Sequence, residues 1–233
     1  QGDEILNKMS SEINHPHKYP YSVHRYHIKS GKTYLETPYG DIQLQIFGKH
    51  NLANLNAAKL ACNAVGISDE QFYHAIASFK GASKRLELVV ENENCCVYKD
   101  FAHSPSKLKA TIEAVKEQFP DRKLVACMEL HTFSSLSEEF LKEYKNAMNL
   151  ADIGIVYYNP EAVEHKKLSP ITSEMIYKSF NREDLEIFSN SKLLIDRLLT
   201  IENSNTQFLL MSSGNFNGID IEQLANNIVY LQP

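Results

Sequence analysis

The sequence predicts an α/β protein: a Rossmann-like, mainly parallel sheet, preceded by a smaller unit made of a β-hairpin and helices. Three observations carry this. From Leu86 onward, short apolar runs alternate with amphipathic stretches, as in a parallel sheet covered by helices. Before that point the pattern is different, with two β-like halves around a turn and then two helical stretches. Between the patterns lies Gly81-Ala82-Ser83, where small residues suit a boundary between residues 1–83 and 84–233.

Taken in order, residues 1–20 are polar and hold His and Pro, which suits a loop or a frayed helix. Tyr21 to Ile28 is rich in β-formers. Thr33-Tyr34-Leu35-Glu36 and Ile42 to Phe47 are joined by Pro38-Tyr39-Gly40-Asp41, so they predict a hairpin. Leu52 to Val65 has apolar residues at helical spacing, with Asn51 as N-cap and Gly66 as stop. Ser68 caps a second helix running to about Phe79. Strands are then predicted at 86–90, 95–98, 124–130, 153–158, 185–188 and 208–212. Helices are predicted at 105–119, 137–149, 172–180, 191–200 and 220–231. Right-handed crossovers would wind such a sheet doubly and place ligands outside the carboxyl ends of its strands.

Composition narrows the function. A 233-residue chain with 43% hydrophobic and 23% charged residues is ordinary globular protein. A net charge of -5 argues against a nucleic-acid binder. No apolar run is long enough for a membrane span, and the start is polar rather than signal-like. Cys62, Cys95, Cys96 and Cys127 form no C-x-x-C pair and read as buried free thiols of a cytoplasmic protein. His24 and His27 point to opposite faces of a predicted strand and have no Cys or acidic cluster beside them, so no metal site is expected there. Gly31-Lys32-Thr33 looks like the end of a phosphate-binding loop, but Tyr26 stands where the first glycine is needed. No G-x-G-x-x-G follows any predicted strand, which makes a dehydrogenase a poor reading.

Three places carry candidate chemistry. Asp100 ends an apolar run, and Ser104-Pro105 then opens a helix. A carboxylate there could accept from both hydroxyls of a ribose, with His103 orienting it or touching a phosphate; alternatively the two simply pair within a loop. His50, Asn51 and Asn54 open a helix and offer the donor and acceptor that an adenine edge needs, or merely cap it. Arg85 could hold a phosphate, or stand as a surface charge paired with Glu87.

In their order and spacing, these segments resemble the ATP-dependent Mur ligases of peptidoglycan metabolism, over about residues 20–230. Gly48 to Ala58 is similar to the family's adenine-contacting segment, Lys84-Arg85 with Glu87 to its interdomain basic pair, and Asp100 to Pro105 to its ribose loop. The resemblance implies the following. ATP with Mg²⁺ converts a carboxylate to an acyl phosphate, and the amine of an amino acid or peptide attacks it. His50, Asn51, Asn54, Arg85 and Asp100 then belong to the nucleotide. His103, His131 and the turn around Ser212 and Gly214 belong to the amino substrate. Residues 1–83 would be the end of the central ATP-binding domain. The P-loop, the carbamylated lysine and the Mg²⁺ ligands would lie upstream, so residues 1–233 alone are expected to form no amide.

Within the family, Met211 to Ile219, Phe79-Lys80 and Val97-Tyr98 are similar to the murein peptide ligase branch, which joins L-alanyl-γ-D-glutamyl-meso-diaminopimelate to UDP-N-acetylmuramate. Ser104 departs from that branch, which has a second His there. His131-Thr132-Phe133 also departs and is similar to the L-alanine-adding branch. Tyr158-Asn159-Pro160-Glu161 lacks the Asp and Arg by which the diaminopimelate-adding branch reads its substrate. The alternative from another class is a non-catalytic nucleotide- or protein-binding α/β module.

Overall fold

The computed structural model describes residues 4–15 and 18–231. Contacts divide the chain into two compact units, Gln1–Lys80 and Gly81–Pro233.

The first unit begins with helix α1 (Glu4–Glu12), which buries none of its residues. An antiparallel sheet follows, of β1 (Tyr26–Lys29), β2 (Lys32–Thr37) and β3 (Gly40–Gln43) in that spatial order. The expected turn at residues 38–39 joins β2 to β3. The sequence reading missed the β1–β2 corner. There Ser30 (φ 50°) and Gly31 (φ 68°) both lie in the left-handed region, which matches the right-handed twist of hairpin strands. The Gly-Lys-Thr decoy is therefore a hairpin corner. Helix α2 (Lys49–Ala64) starts two residues before the expected cap: its N-cap is Gly48, at φ 91°. Asn51 is thus inside the first turn and not the cap, and its side-chain amide donates to the Phe47 carbonyl at 2.9 Å. Helix α3 (Asp69–Ile76) opens on a capping box between Ser68 and Gln71. Leu35, Leu44, Leu52, Leu55, Phe72 and Tyr73 form this unit's core. His24 binds the Tyr73 hydroxyl at 2.7 Å, and His27 stacks on Tyr34.

The second unit holds six strands: β4 (Glu87–Glu91), β5 (Cys95–Asp100), β6 (Lys123–Leu130), β7 (Ile153–Tyr158), β8 (Glu186–Phe188) and β9 (Thr206–Met211). Their spatial order is β4-β5-β9-β6-β7-β8. Only the β4–β5 pair is antiparallel, and the other four pairings are parallel. Helices α4 (Pro105–Gln118), α7 (Ser173–Phe180), α8 (Ser191–Thr200) and α9 (Ile221–Tyr230) stand close to the expected spans. The 137–149 helix does not. It reduces to α5 (Glu138–Leu141) and a single 3₁₀ turn, Lys142–Tyr144, because Asn146 turns left-handed (φ 61°) and donates its N–H to Phe180. A short helix α6 (Pro160–His165), with Asn159 as its cap, was not anticipated.

Alternation along the strands splits the burial. Cys95, Val97, Val125, Cys127, Phe208 and Leu210 face α8 and α9 in one core. The intervening Leu124, Ala126 and Met128 are equally buried, on the side where α4 meets β6 and β9. Cys95, Cys96 and Cys127 are buried free thiols as expected, whereas Cys62 is only partly buried. Burial pushes the Cys95 thiol up to about 12, which keeps it protonated and inert.

Candidate functional site

Strand β9 lies between β5 and β6, where the direction of winding reverses, so the loops leaving these three strands open a crevice at the switch point. Asp100 is the last residue of β5 and opposes Met211 of β9, which also opposes Met128 of β6. Glu129, Leu130 and Ser212 therefore reach just beyond this paired level.

Asp100 is nearly buried. Its Oδ2 accepts the Leu86 N–H at 2.7 Å and its Oδ1 accepts the Ala102 N–H at 2.6 Å. The same corner is tied by a 2.8 Å bond from the Phe101 N–H to the Lys84 carbonyl. Lys84 (φ 57°) and Leu86 (φ 44°) both hold left-handed backbone there, so the carboxylate supports a strained corner that carries Arg85 on the surface. Asp100 and His103 do not pair. His103 Nδ1 instead lies 2.8 Å from the Phe101 carbonyl oxygen, and its own carbonyl accepts the hydroxyl of buried Tyr144. Ser104 does occupy the N-cap of α4, but its side chain makes no capping bond.

Glu87 does not pair with Arg85 either. It accepts the Lys84 N–H at 2.6 Å and binds Lys99 at 3.1 Å. The Lys84 N–H holds the Glu87 carboxyl below its ordinary value; burial pulls the other way and Lys99 adds to the lowering. Lys84, Lys99, Asp100, Ser212, Asn215 and Glu222 are among the residues lining a cleft of about 190 Å³ beside this corner.

The other half of the crevice is built on Glu129, which the sequence reading passed over. It is 2% exposed, and Oε2 accepts both the Ser212 hydroxyl and the Phe216 N–H, the latter at 2.9 Å. Oε1 stands 3.6 Å from Nδ1 of His131. Gly214 closes over the pair: a Cβ there would lie 2.8 Å from Glu129 Oε2 and 2.8 Å from both Cγ and Nδ1 of His131. The Gly214 N–H donates to Ser212 Oγ at 2.7 Å. Phe216 (φ 51°), Asn217 (φ 58°) and Gly218 (φ 86°) then continue left-handed, while the Phe216 ring packs in the core beside Tyr157. Asn159, after β7, donates to Asn217 at 3.0 Å and ties a third loop to this turn. The structure thus brings together His131, Ser212 and Gly214 around Glu129, and separately Arg85 and Asp100 around the 84–86 corner. One acidic residue inside the apolar run 124–130 was the available signal for Glu129.

His50, Asn51 and Asn54 lie on the first unit, along the opening turns of α2, with Asn54 exposed and His50 and Asn51 half-buried. Leu52 and Leu55 of the same turns enter the core, so the polar residues stand on the outer side. Among the described residues no group of three or more His, Cys, Asp or Glu could hold a metal ion, and no helix is long and apolar enough to cross a membrane.

The topology defines a doubly wound α/β domain with a crevice at its switch point. The family model described as "Mur ligase, glutamate ligase domain" matches residues 84–214, and the chain belongs to the Mur ligase family. A UDP-N-acetylmuramate–L-alanine ligase of Caldicellulosiruptor bescii is 34% identical over 151 residues, 64% of this chain and 32% of that protein. Among solved structures, the UDP-N-acetylmuramate–alanine ligase of Thermotoga maritima superposes with a TM-score of 0.66 at 18% identity, covering 88% of this chain and 44% of that one. A murein peptide ligase of Psychrobacter arcticus gives 0.53 at 20% identity, with the same coverage. At these identities the two structures speak for the fold alone. The chain spans about a third of the length of that curated relative, and 25% and 39% of two others, from Cutibacterium acnes and Endomicrobium trichonymphae.

Proposed function

We propose that this chain is the C-terminal part of an ATP-dependent ligase that joins the amine of an L-alanyl residue to the carboxylate of UDP-N-acetylmuramate. The observation that carries the reading is the family match over residues 84–214, which covers both halves of the crevice up to Gly214. Free L-alanine is the amino substrate in the name of the curated relative; the tripeptide L-alanyl-γ-D-glutamyl-meso-diaminopimelate is favoured by the 211–219 turn. Both present the same nucleophile, an α-amine on alanine.

The residues suit these roles chemically. Asp100 ends β5 beside the cleft, and a carboxylate is the acceptor that a ribose hydroxyl needs. Arg85 carries a guanidinium, whose planar fork of donors suits phosphate oxygens. His50 carries an imidazole and Asn54 a carboxamide, side chains of the chemistry that suits an adenine edge. Asn51 keeps its amide oxygen, since only its NH₂ is engaged by Phe47. ATP, when bound, supplies the phosphoryl group that activates the carboxylate. The chain's own part is to hold the amine beside His131 and the Ser212–Gly214 turn, where orientation supplies rate. Residues 1–83 are read as the end of the ATP-binding domain, and Mg²⁺ as held outside this chain.

The test is ADP release by the parent ligase with ATP, Mg²⁺ and UDP-N-acetylmuramate, with L-alanine or the tripeptide offered separately. Turnover with the tripeptide only makes it a recycling enzyme, and turnover with L-alanine only makes it a biosynthetic one. Turnover with neither rejects the proposal and favours a non-catalytic module. Amide formation by residues 1–233 alone would sink the assignment of the activating machinery to another part of the protein.

A further inference from the structure

We propose that Glu129 is a positioning residue that fixes the proton of His131 on Nδ1, so that Nε2 presents a lone pair to the substrate's amino group. The inference rests on the amine-site reading above and assigns a task to a residue which that reading leaves without one.

Glu129 is 2% exposed, and a carboxylate at such depth needs donors on every side. Oε2 has two, the Ser212 hydroxyl and the Phe216 N–H. Oε1 faces Nδ1 of His131 at 3.6 Å, too long for a hydrogen bond but within ion-pair range. No lysine or arginine forms a salt bridge with Glu129 among the described residues; His131 is the basic side chain that faces it. A ring nitrogen facing a carboxylate oxygen at that range is favoured as N–H, because the other tautomer sets lone pair against lone pair. The turn also packs closely against the ring. Gly214 lies so close that an added Cβ would meet Cγ and Nδ1 at 2.8 Å. The His131 side chain is 40% exposed, so with Nδ1 turned inward to Glu129 the opposite edge of the ring, bearing Nε2, is the side left for a ligand. A carboxylate behind the ring thus turns a histidine into an acceptor at its exposed edge. An incoming amine needs such an acceptor for one of its N–H groups while its lone pair stays free for attack.

The experiment reads the His131 tautomer by two-bond ¹⁵N–¹H correlation in ¹⁵N-labelled chain, at about pH 8, above the ordinary imidazole range. The expected wild-type form is Nδ1–H. Glu129→Gln can keep its oxygen on the Ser212 and Phe216 donors while its NH₂ faces Nδ1, so the tautomer should invert with the 212–216 amide resonances little moved. Ser212→Ala removes a donor to Glu129 and should leave Nδ1–H in place. In the parent ligase, Glu129→Gln should raise KM for the amino substrate about tenfold, the weight of one hydrogen bond, and leave KM for ATP within about twofold. An Nε2–H wild type overturns the proposal without any variant. An unchanged tautomer in Glu129→Gln, or inversion with an unchanged amine KM, overturns it too. A wild-type ligase that uses neither L-alanyl amine is a failure of the substrate reading, and the ligand-free spectra keep that outcome distinct.

Discussion

Gly214→Ala tests the tightness of the crevice directly. The added methyl would stand 2.8 Å from Glu129 Oε2 and from two atoms of the His131 ring, well inside van der Waals contact. Glu129 cannot yield cheaply, since two buried donors hold its Oε2. The half-exposed imidazole can, by swinging outward. Overpacking of this kind costs about 1–3 kcal/mol. At roughly 2–4 °C per kcal/mol for a unit of this size, the melting temperature should fall by about 2–12 °C. The residue has no left-handed φ, so the cost is steric rather than conformational. A thermal double-mutant cycle with His131→Ala separates the two: emptying the ring's space should recover most of the loss, giving a coupling of about 1 kcal/mol or more. Equal melting temperatures for wild type and Gly214→Ala, or strictly additive losses in the cycle, would refute the packing drawn for residues 129, 131 and 214.

Three further predictions concern the scaffolds of the two units. Tyr144→Phe removes the hydroxyl that binds the His103 carbonyl and should cost about 1–2 kcal/mol, with faster amide exchange over 101–105; exchange unchanged there would mean the loop is held by other contacts. Asp152 accepts from Lys116 at 2.8 Å and from the Leu124 N–H at 2.7 Å. Burial raises its pKa, but these bonds outweigh it and the net shift is below the ordinary 3.8. Its stabilisation is therefore complete above that value and is lost as pH falls through the lower folded value. The stability gap between wild type and Asp152→Asn should stay constant from about pH 5 to 8 and close on acidification. A gap that widens in acid would show the sign to be wrong. Gly31→Ala places a Cβ on a left-handed hairpin corner and should destabilise the first unit by about 1 kcal/mol in denaturant melts. No loss would mean the corner can adopt another turn.

The periodic features of this protein were legible in its sequence. Strand–helix alternation after Leu86 is a one-dimensional record of burial, so it marked β6, β7 and α8 to within a residue. Its failures are physical too. The 137–149 stretch has the apolar spacing of a helix, yet Asn146 leaves it to bind Phe180, a partner 34 residues away that no local propensity reports. Asn51 has the chemistry of a cap, but Gly48 could take the φ of 91° that the chain's entry into α2 requires. The family motifs named Asp100, His131 and the 212–218 turn because those residues are adjacent along the chain to recognisable neighbours. Only the tertiary structure decided what stands behind them. Strand β9 is last in sequence but inserts between β5 and β6, and that pairing brings Ser212 and Gly214 onto Glu129 and His131, more than 80 residues earlier. Side-chain pattern encodes which face of an element is buried; which strands become neighbours, and hence which polar groups must satisfy one another, is decided by packing the whole sheet.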